Sequence, residues 1–195
     1  MHRLRSLLSP IVDAIARVLV RLGFSPSGLT VIGVLIACVA AALIAQGMLA
    51  VGGVVMLIAG VFDMFDGAVA RLTGRATKFG ALFDSVMDRV SEAVVLLGLL
   101  WFYLEAGEQL GAVLVYVSIV GSTLVSYVRA RAEGLGIECK GGLMQRPERV
   151  ASLGVGIIVG QWWEPAVLIV LGVIAALTVV TTVQRVVETA RGAGE

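Results

Sequence analysis

Charged residues are scarce in this sequence, and long apolar runs take their place. Asp, Glu, Lys and Arg make up 15% of the 195 residues, 58% are hydrophobic, and the mean hydropathy is +0.98. Soluble domains are roughly 45–50% apolar and about 25% charged. The composition therefore argues against a soluble domain and indicates a membrane protein.

Cysteine is rare, and the net charge is close to zero. The two cysteines, Cys38 in a predicted span and Cys139 in a predicted loop, are not expected to pair, so no disulfide framework is predicted. Nucleic acid is a poor candidate partner for a chain with a formal net charge of +1. The N-terminal segment lacks the cleavable apolar core of a signal peptide, so we expect residues 1–25 to belong to the mature protein.

Six apolar runs fit transmembrane helices, because a bilayer core about 30 Å thick takes roughly 20 apolar residues per helix. The runs cover residues 29–46, 49–70, 79–102, 110–127, 150–162 and 165–187, the fifth being shorter than the others. The sequence therefore predicts an all-α integral membrane domain of six transmembrane helices over residues 26–195.

Residues 1–25 have a different pattern. Apolar residues recur at helical spacing with Arg17 and Arg21 between them. This pattern predicts an N-terminal amphipathic juxtamembrane helix that lies on the membrane surface. The apolar positions are Leu7, Leu8, Ile11, Val12, Ile15, Val18, Leu19 and Leu22.

The basic residues predict the orientation in the membrane. With six spans, every Lys and Arg lies on or toward the face that carries both termini, while the loops of the opposite face contain Glu105, Glu108 and Glu164. Cytoplasmic loops carry an excess of Lys and Arg, so both termini are predicted to be cytoplasmic. Aromatic residues are expected at the other interface, namely Trp101, Phe102, Tyr103, Trp162 and Trp163.

Four aspartates interrupt the second and third apolar runs. Asp63 and Asp66 are three residues apart, and Asp84 and Asp88 are four apart, so each pair shares one face of its helix. Both pairs lie at similar distances from a turn near Arg75, which predicts that they face each other at one depth. An ionisable group at membrane depth costs at least about 2.5–3.5 kcal/mol on insertion scales, which favours a functional role.

The residues around the aspartates indicate the chemistry. Four close carboxylates need cations, and oxygen-only ligands favour Mg²⁺, Mn²⁺ or Ca²⁺ over zinc or copper. Gly67, Ala70 and Gly80 leave space for a ligand, and the fork of Arg71 can bind phosphate oxygens. Carboxylate-bound metal beside an arginine is an arrangement for phosphoryl transfer.

Two other interpretations of the acidic residues stay open. They could form buried ion pairs, although buried charge is weak evidence for stability. They could form the ion site of a divalent-cation transporter, although no charged residue lies in the outer half of any predicted span. Glu92, four residues beyond Asp88, is expected to pair with a neighbouring helix. The basic residues considered for ion pairs with the aspartates are Arg71, Arg75, Lys78 and Arg89.

The region from Asp63 to Asp88 resembles the complete signature of the CDP-alcohol phosphotransferase family. The resemblance implies a homodimer and an active site near the cytoplasmic interface. It also implies two divalent ions, Mg²⁺ or Mn²⁺, with Asp63, Asp66 and Asp84 on the first and Asp88 serving the second as well as acting as general base. The signature residues are Asp63, Asp66, Gly67, Ala70, Arg71, Gly80, Asp84 and Asp88.

The same resemblance implies the contacts to a CDP-activated lipid, expected to be CDP-diacylglycerol. They lie at the start of the first span and around the signature. An ordinary capped helix start explains Ser25, Pro26 and Ser27 equally well. The implied lipid-binding residues are Ser27, Gly28, Leu29, Thr30, Gly67, Ala70, Arg71, Thr77 and Gly80.

A basic stretch at residues 127–149 is similar to the phosphatidylinositol-phosphate synthase branch of this family. The branch implies transfer of a phosphatidyl group to inositol phosphate with release of CMP. Arg129 stands where the branch has a lysine, which keeps the charge and changes the geometry. Glycerol 3-phosphate is the alternative acceptor, and the positive-inside rule alone also explains a basic loop. The implied acceptor-phosphate ligands are Ser126, Arg129, Arg149 and Arg185.

Overall fold

The computed structural model describes residues 2–139 and 141–193, and the side chains of residues 2–9 lie outside the described part. The described residues form α-helices and no β-strand, which confirms the all-α class. Predictions that involve Arg3, Arg5, Leu7, Leu8 and Lys140 fall on side chains outside the described part. The helices are α1 His2–Arg21, α2 Pro26–Ala45, α3 Leu49–Leu72, α4 Lys78–Glu105, α5 Gln109–Gly134, α6 Arg146–Gly160 and α7 Pro165–Gly192.

Helices α2 and α4 begin at hydroxyl caps. The Oγ of Ser25 accepts a hydrogen bond from the backbone N–H of Gly28 at 3.1 Å, and Pro26 follows at the first helical position. The Oγ1 of Thr77 accepts one from the N–H of Gly80 at 2.9 Å. These caps satisfy backbone donors that have no partner within the helix.

The six predicted runs correspond to α2–α7, but several helices are longer than the runs. Helix α5 extends past residue 127 to Gly134, and α6 begins at Arg146 instead of residue 150. Four helices, α2, α3, α5 and α7, are long and apolar enough to cross a membrane. Helix α4 is long enough to cross a membrane but carries more charged residues than those four helices, and α6 has only 15 residues. Several membrane-spanning helices are therefore supported, and the number six stays a prediction.

Small residues allow the helices to pack closely around one core. A Cβ on Gly98 of α4 would lie 2.4 Å from the backbone oxygen of Ala41 in α2, so these two helices meet at a glycine. Leu99, Ile157 and Leu171 of α4, α6 and α7 are fully buried in the same core. This core fixes the relative positions of α2, α3, α4 and α6, which carry the site described below.

The outer faces of the helices are apolar. Leu35, Leu97, Val113 and Ile169, on four different helices, are each more than half exposed. Soluble monomers rarely expose continuous apolar surface on this scale, whereas lipid covers it without cost. The exposed residues therefore agree with a chain that lies in a bilayer.

Helix α1 packs beside α3. Ala16 is buried in a second cluster with Phe65 and Val69 of α3, and Val12 and Leu19 pack against that cluster. Residues His2–Arg21 are helical, while the amphipathic character of this helix and its position on the membrane surface stay predictions. Another row of its predicted apolar positions is exposed, namely Ile11, Ile15, Val18 and Leu22.

Candidate active site

Helices α3 and α4 bring the four aspartates together. Asp66 is only 5% exposed. Asp63 and Asp88 both bind the guanidinium of Arg146. The hairpin turn at residues 73–77 lets the two helices run side by side, so pairs at similar distances from the turn meet, as the spacing predicts.

Asp66 is held by hydrogen bonds from two directions. The Oγ1 of Thr30, on α2, donates to its Oδ2 at 2.7 Å, and the backbone N–H of Gly67 donates to its Oδ1. Thr30 itself is buried, with 4% exposure. Hydrogen bonds to a charged group are stronger than those between neutral groups, so Thr30 fixes the orientation of this carboxylate.

Arg146 lies between Asp63 and Asp88. Its Nη2 is 2.6 Å from Asp63 Oδ2, and its Nη1 is 2.8 Å from Asp88 Oδ1. The second contact does not have hydrogen-bond geometry, so Asp88 Oδ1 is a buried oxygen without a hydrogen-bond donor. Arg146 is not among the residues predicted from the sequence for the acidic site. Its place at the first residue of α6 was the available signal, because the aspartates lie near the same end of the bundle.

The buried ion-pair interpretation identified other partners. Among the ion pairs of the described residues, the aspartates pair with Arg146 alone, from a helix distant in sequence. The cause is packing, since α3 contacts α6 directly. The basic residues of that interpretation make no such pair, namely Arg71, Arg75, Lys78 and Arg89.

The donor set fits a divalent cation. Carboxylate oxygens are the ligands that Mg²⁺ and Mn²⁺ prefer, and Asp88 Oδ1 is a buried oxygen that no donor satisfies. Gly33 of α2 lies against Asp63, where a Cβ would come within 3.1 Å of Oδ1. The described side chains do not converge as three or more metal ligands. Arg146 is the cation that holds two of the four carboxylates.

Two of the residues implied in CDP-lipid binding contact the group of four aspartates, which we call the acidic pocket, and the others lie on α2 and α3 and at the start of α4. Thr30 and Gly67 both contact Asp66, while Thr77 and Gly80 form the cap of α4. Arg71 is exposed, so its guanidinium is accessible to a ligand. The others are the exposed Ser27, the partly buried Gly28 and Ala70, and Leu29, whose side chain is buried against α3.

Arg149 is buried, and each of its three guanidinium nitrogens has a protein partner. Its Nε and Nη2 bind the two carboxylate oxygens of Glu92 at 2.7 and 2.8 Å, and its Nη1 donates to the backbone oxygen of Met144 at 3.2 Å. The prediction that Glu92 pairs with a neighbouring helix is confirmed. The pair joins α4 to the start of α6.

Arg185 of α7 holds the segment that precedes α6. Its Nε donates to the backbone oxygen of Gly141 at 2.8 Å, and its Nη1 donates to that of Val125 at 2.6 Å. Ser126 is next to Val125 and is half-buried. Arg129, by contrast, is exposed and forms a surface pair with Glu133 at 2.9 Å. The implied acceptor ligands thus differ in burial, and their described contacts are to protein groups.

The fold and the acidic pocket together define a multi-pass membrane transferase. The chain belongs to the CDP-alcohol phosphatidyltransferase family, whose sequence model matches residues 24–187. The resemblance seen in the signature is therefore confirmed. The transporter interpretation receives no such support, and the protein is an enzyme of phospholipid biosynthesis.

Relatives narrow the class. The chain is 36% identical to the phosphatidylinositol phosphate synthase of Mycobacterium marinum over 93% of this chain and 80% of the relative. It is 37% identical to the archaetidylinositol phosphate synthase of Methanothermobacter thermautotrophicus, over 94% of this chain and 89% of the relative.

Solved structures agree with the sequence relatives. The Mycobacterium tuberculosis phosphatidylinositol phosphate synthase with bound CDP-DAG superposes with a TM-score of 0.87 at 34% identity, over 92% of this chain and 94% of that one. The same enzyme in complex with manganese and citrate gives 0.86 at 34% identity, over 91% and 88%. The likeness therefore extends over nearly the whole chain.

Proposed function

We propose that this protein transfers a phosphatidyl group from CDP-diacylglycerol to the hydroxyl of inositol phosphate. The acceptor oxygen forms the new bond to the lipid-side phosphorus, the pyrophosphate bond breaks, and CMP leaves. The placement of the signature aspartates on the neighbouring helices α3 and α4, where Arg146 bridges Asp63 to Asp88, carries this proposal. The relatives named phosphatidylinositol phosphate synthase and archaetidylinositol phosphate synthase support an inositol phosphate acceptor.

We assign Asp63, Asp66, Asp84 and Asp88 as ligands of two divalent ions, with Mg²⁺ expected and Mn²⁺ able to replace it. Such ions, when bound, neutralise the pyrophosphate and withdraw charge from the phosphorus. Thr30 keeps one oxygen of Asp66 oriented through its 2.7 Å hydrogen bond.

Asp88 is the proposed general base. Its Oδ1 receives no hydrogen bond, and once its 2.8 Å contact to Arg146 Nη1 is released it can accept the proton of the acceptor hydroxyl. Its side chain is 20% exposed, so a small alcohol can approach it from the solvent-accessible side of the pocket.

The CDP-lipid is proposed to bind along the start of α2 and around the α3–α4 turn. Arg71 is exposed near the acidic residues and can grip pyrophosphate oxygens with its planar fork. Gly67 and Gly80 leave room for the headgroup. The full set is Ser27, Gly28, Leu29, Thr30, Gly67, Ala70, Arg71, Thr77 and Gly80.

The acceptor phosphate is proposed to bind Ser126, Arg129, Arg149 and Arg185. Arg149 and Arg185 are already oriented by protein contacts, which lowers the entropy cost of placing them on a phosphate. A guanidinium has more N–H donors than those contacts use, so each can still donate to an anion. Arg129 is exposed and supplies an adaptable charge at the rim.

We further propose six transmembrane helices, with both termini and the active site on the cytoplasmic side, in a homodimer. Helix α4 has 28 residues, a length of about 42 Å at 1.5 Å per residue, which exceeds a bilayer core of about 30 Å. Apart from Glu105 at its end, its charged residues lie between Lys78 and Glu92, which leaves the uncharged residues 93–104 for the membrane interior. Helix α1, with its exposed apolar row, is proposed to lie on the cytoplasmic surface.

Release of CMP tests the proposal. Purified protein is supplied with CDP-diacylglycerol, Mg²⁺ and one acceptor at a time: inositol phosphate, glycerol 3-phosphate, free inositol or serine. We expect release with inositol phosphate alone, and none with a chelator. Release with glycerol 3-phosphate instead would support the proposed phosphatidyl transfer but show that inositol phosphate is not the acceptor.

The base assignment has its own control. The variant Asp88→Asn should lower turnover by about 10²–10⁴-fold, with a smaller effect on the affinity for CDP-diacylglycerol because Asp63, Asp66 and Asp84 remain as metal ligands. Normal turnover in this variant would show that another group accepts the proton.

A further inference from the structure

Arg146 and Arg149 lie one turn apart on α6, but their environments differ. Each of the three guanidinium nitrogens of Arg149 has a protein partner at 3.2 Å or less. The Nε of Arg146 is buried without a partner, and so is the Asp88 Oδ1 that its Nη1 approaches. A buried polar atom without a partner costs free energy. The Glu92–Arg149 pair is thus a complete structural contact, whereas the contact of Arg146 is incomplete.

The position of Arg146 also places its charge among the proposed metal ligands. One guanidinium bridges Asp63 on α3 and Asp88 on α4 at 2.6 and 2.8 Å. It reduces the repulsion among the four carboxylates, since an opposite charge at this distance favours their ionised form. A divalent ion on the same carboxylates would have to share them with a second cation, which it repels.

The side chain of Arg146 lies at the edge of the packed helices. It is 27% exposed, and Arg146 is the first residue of α6, preceded by a non-helical segment. Solvent therefore reaches part of this side chain.

We propose that Arg146 is a resident counter-cation that holds Asp63 and Asp88 and gives them up when a divalent ion binds. This inference rests on the metal ligands of the proposed function. It makes Arg146 a positioning residue that keeps the acidic pocket assembled and lowers the apparent affinity for the ion.

The test measures metal affinity directly. The full chain in detergent micelles at pH 7 and low salt is titrated with Mn²⁺, and free Mn²⁺ is followed by electron paramagnetic resonance. Arg146→Gln should lower the Kd for Mn²⁺ by at least about tenfold, because the wild type must break the contacts of Arg146 to Asp63 and Asp88 before the ion binds, and a hydrogen bond between charged groups contributes more than the free energy of a tenfold change. The matched control Arg131→Gln, which removes an exposed charge at the end of α5, should change the Kd by less than about twofold.

Thermal unfolding of the same samples gives a second measurement. Without metal, Arg146→Gln should unfold at a lower temperature than the wild type, since the carboxylates lose their counter-charge. Saturating Mn²⁺ should narrow or abolish that difference. A difference that is as large with Mn²⁺ as without it would make Arg146 a simple structural contact and overturn the proposal.

The remaining outcomes separate this inference from the proposed function. An equal or higher Kd in Arg146→Gln than in the wild type overturns the inference alone. If wild-type protein that releases CMP binds no Mn²⁺, both the metal ligands and the inference are wrong. If the Gln variant does not fold, Arg146→Lys replaces it in the Mn²⁺ titration. Lysine keeps the charge but has no fork to bridge two carboxylates. The Kd of this variant should be at least about threefold lower than that of the wild type, and an unchanged Kd overturns the inference.

Discussion

Loss of one member of the buried Glu92–Arg149 pair should destabilise the protein strongly. The two side chains are only 10% and 3% exposed, and Arg149 binds both carboxylate oxygens of Glu92. Glu92→Ala leaves a buried guanidinium with one remaining partner, the backbone oxygen of Met144. Loss of one member of a buried pair costs about 3–5 kcal/mol, because the other charge stays desolvated.

The chain offers a matched control in Glu133, which pairs with Arg129 at 2.9 Å on the surface of α5. Both members of that pair are about half exposed, with side-chain exposures of 46% and 54%. Pairs of this kind contribute about 0.3–0.5 kcal/mol. We therefore expect Glu133→Ala to have almost no effect in an unfolding assay in which Glu92→Ala has a large one.

A double variant separates the charge from the packing. Glu92→Leu with Arg149→Met removes both charges and keeps similar volumes, and such replacements of buried pairs are often neutral or stabilising. The double variant should regain most of the stability that Glu92→Ala loses. It should still fail to use inositol phosphate, because Arg149 is a proposed ligand of the acceptor phosphate.

The reasoning is refuted by equal stability losses in Glu92→Ala and Glu133→Ala, measured as unfolding midpoints in the same detergent. Burial would then not decide the contribution of an ion pair in this protein. A double variant as unstable as Glu92→Ala would refute the second step, since it would show that the packing at this position depends on the charges.

Substitutions at Thr30 and Gly98, each with a control variant, test the position of α2 relative to α3 and α4. Thr30→Ala removes the 2.7 Å hydrogen bond to Asp66 and should lower the free energy of unfolding by about 1.5–3 kcal/mol and also lower turnover. Thr30→Ser should retain most of the stability and of the turnover, measured in parallel unfolding and CMP-release assays. Gly98→Ala should destabilise the protein because the new Cβ would lie 2.4 Å from the backbone oxygen of Ala41. Gly172→Ala is the control, because its new Cβ would meet nothing within 4 Å. It should be neutral or should stabilise the protein by about 0.5–1 kcal/mol. Equal unfolding midpoints for the two glycine variants would contradict the close packing of α2 and α4.

Local sequence patterns were sufficient to predict the approximate positions of the helices and the helix faces that carry the aspartates. The apolar runs identified the regions of α2–α7, because each helix needs an apolar surface, and that need is visible in a window of about 20 residues. The i, i+3 and i, i+4 spacings placed each aspartate pair on one helix face. The helix ends were less accurate, since α5 and α7 continue beyond the apolar runs into polar sequence that has no membrane signal.

The partners of those residues depended on the tertiary structure. Thr30 binds Asp66 across 36 positions in the chain, Arg149 binds Glu92 across 57, and Arg146 binds Asp63 across 83. Local spacing suggested nearby basic residues for the aspartates, and the packing of α6 against α3 supplied Arg146 instead.

The sequence by itself determined that this is an all-α membrane protein with four aspartates in one family signature, because composition and helical periodicity are properties of short stretches. Only the tertiary structure decided which cations and hydroxyls those carboxylates meet. Such contacts form between helices that are distant in sequence, and helix packing selects them by shape, through close approaches such as that of Gly98 to Ala41. A sequence pattern contains no direct information about the shapes of the packed helix surfaces.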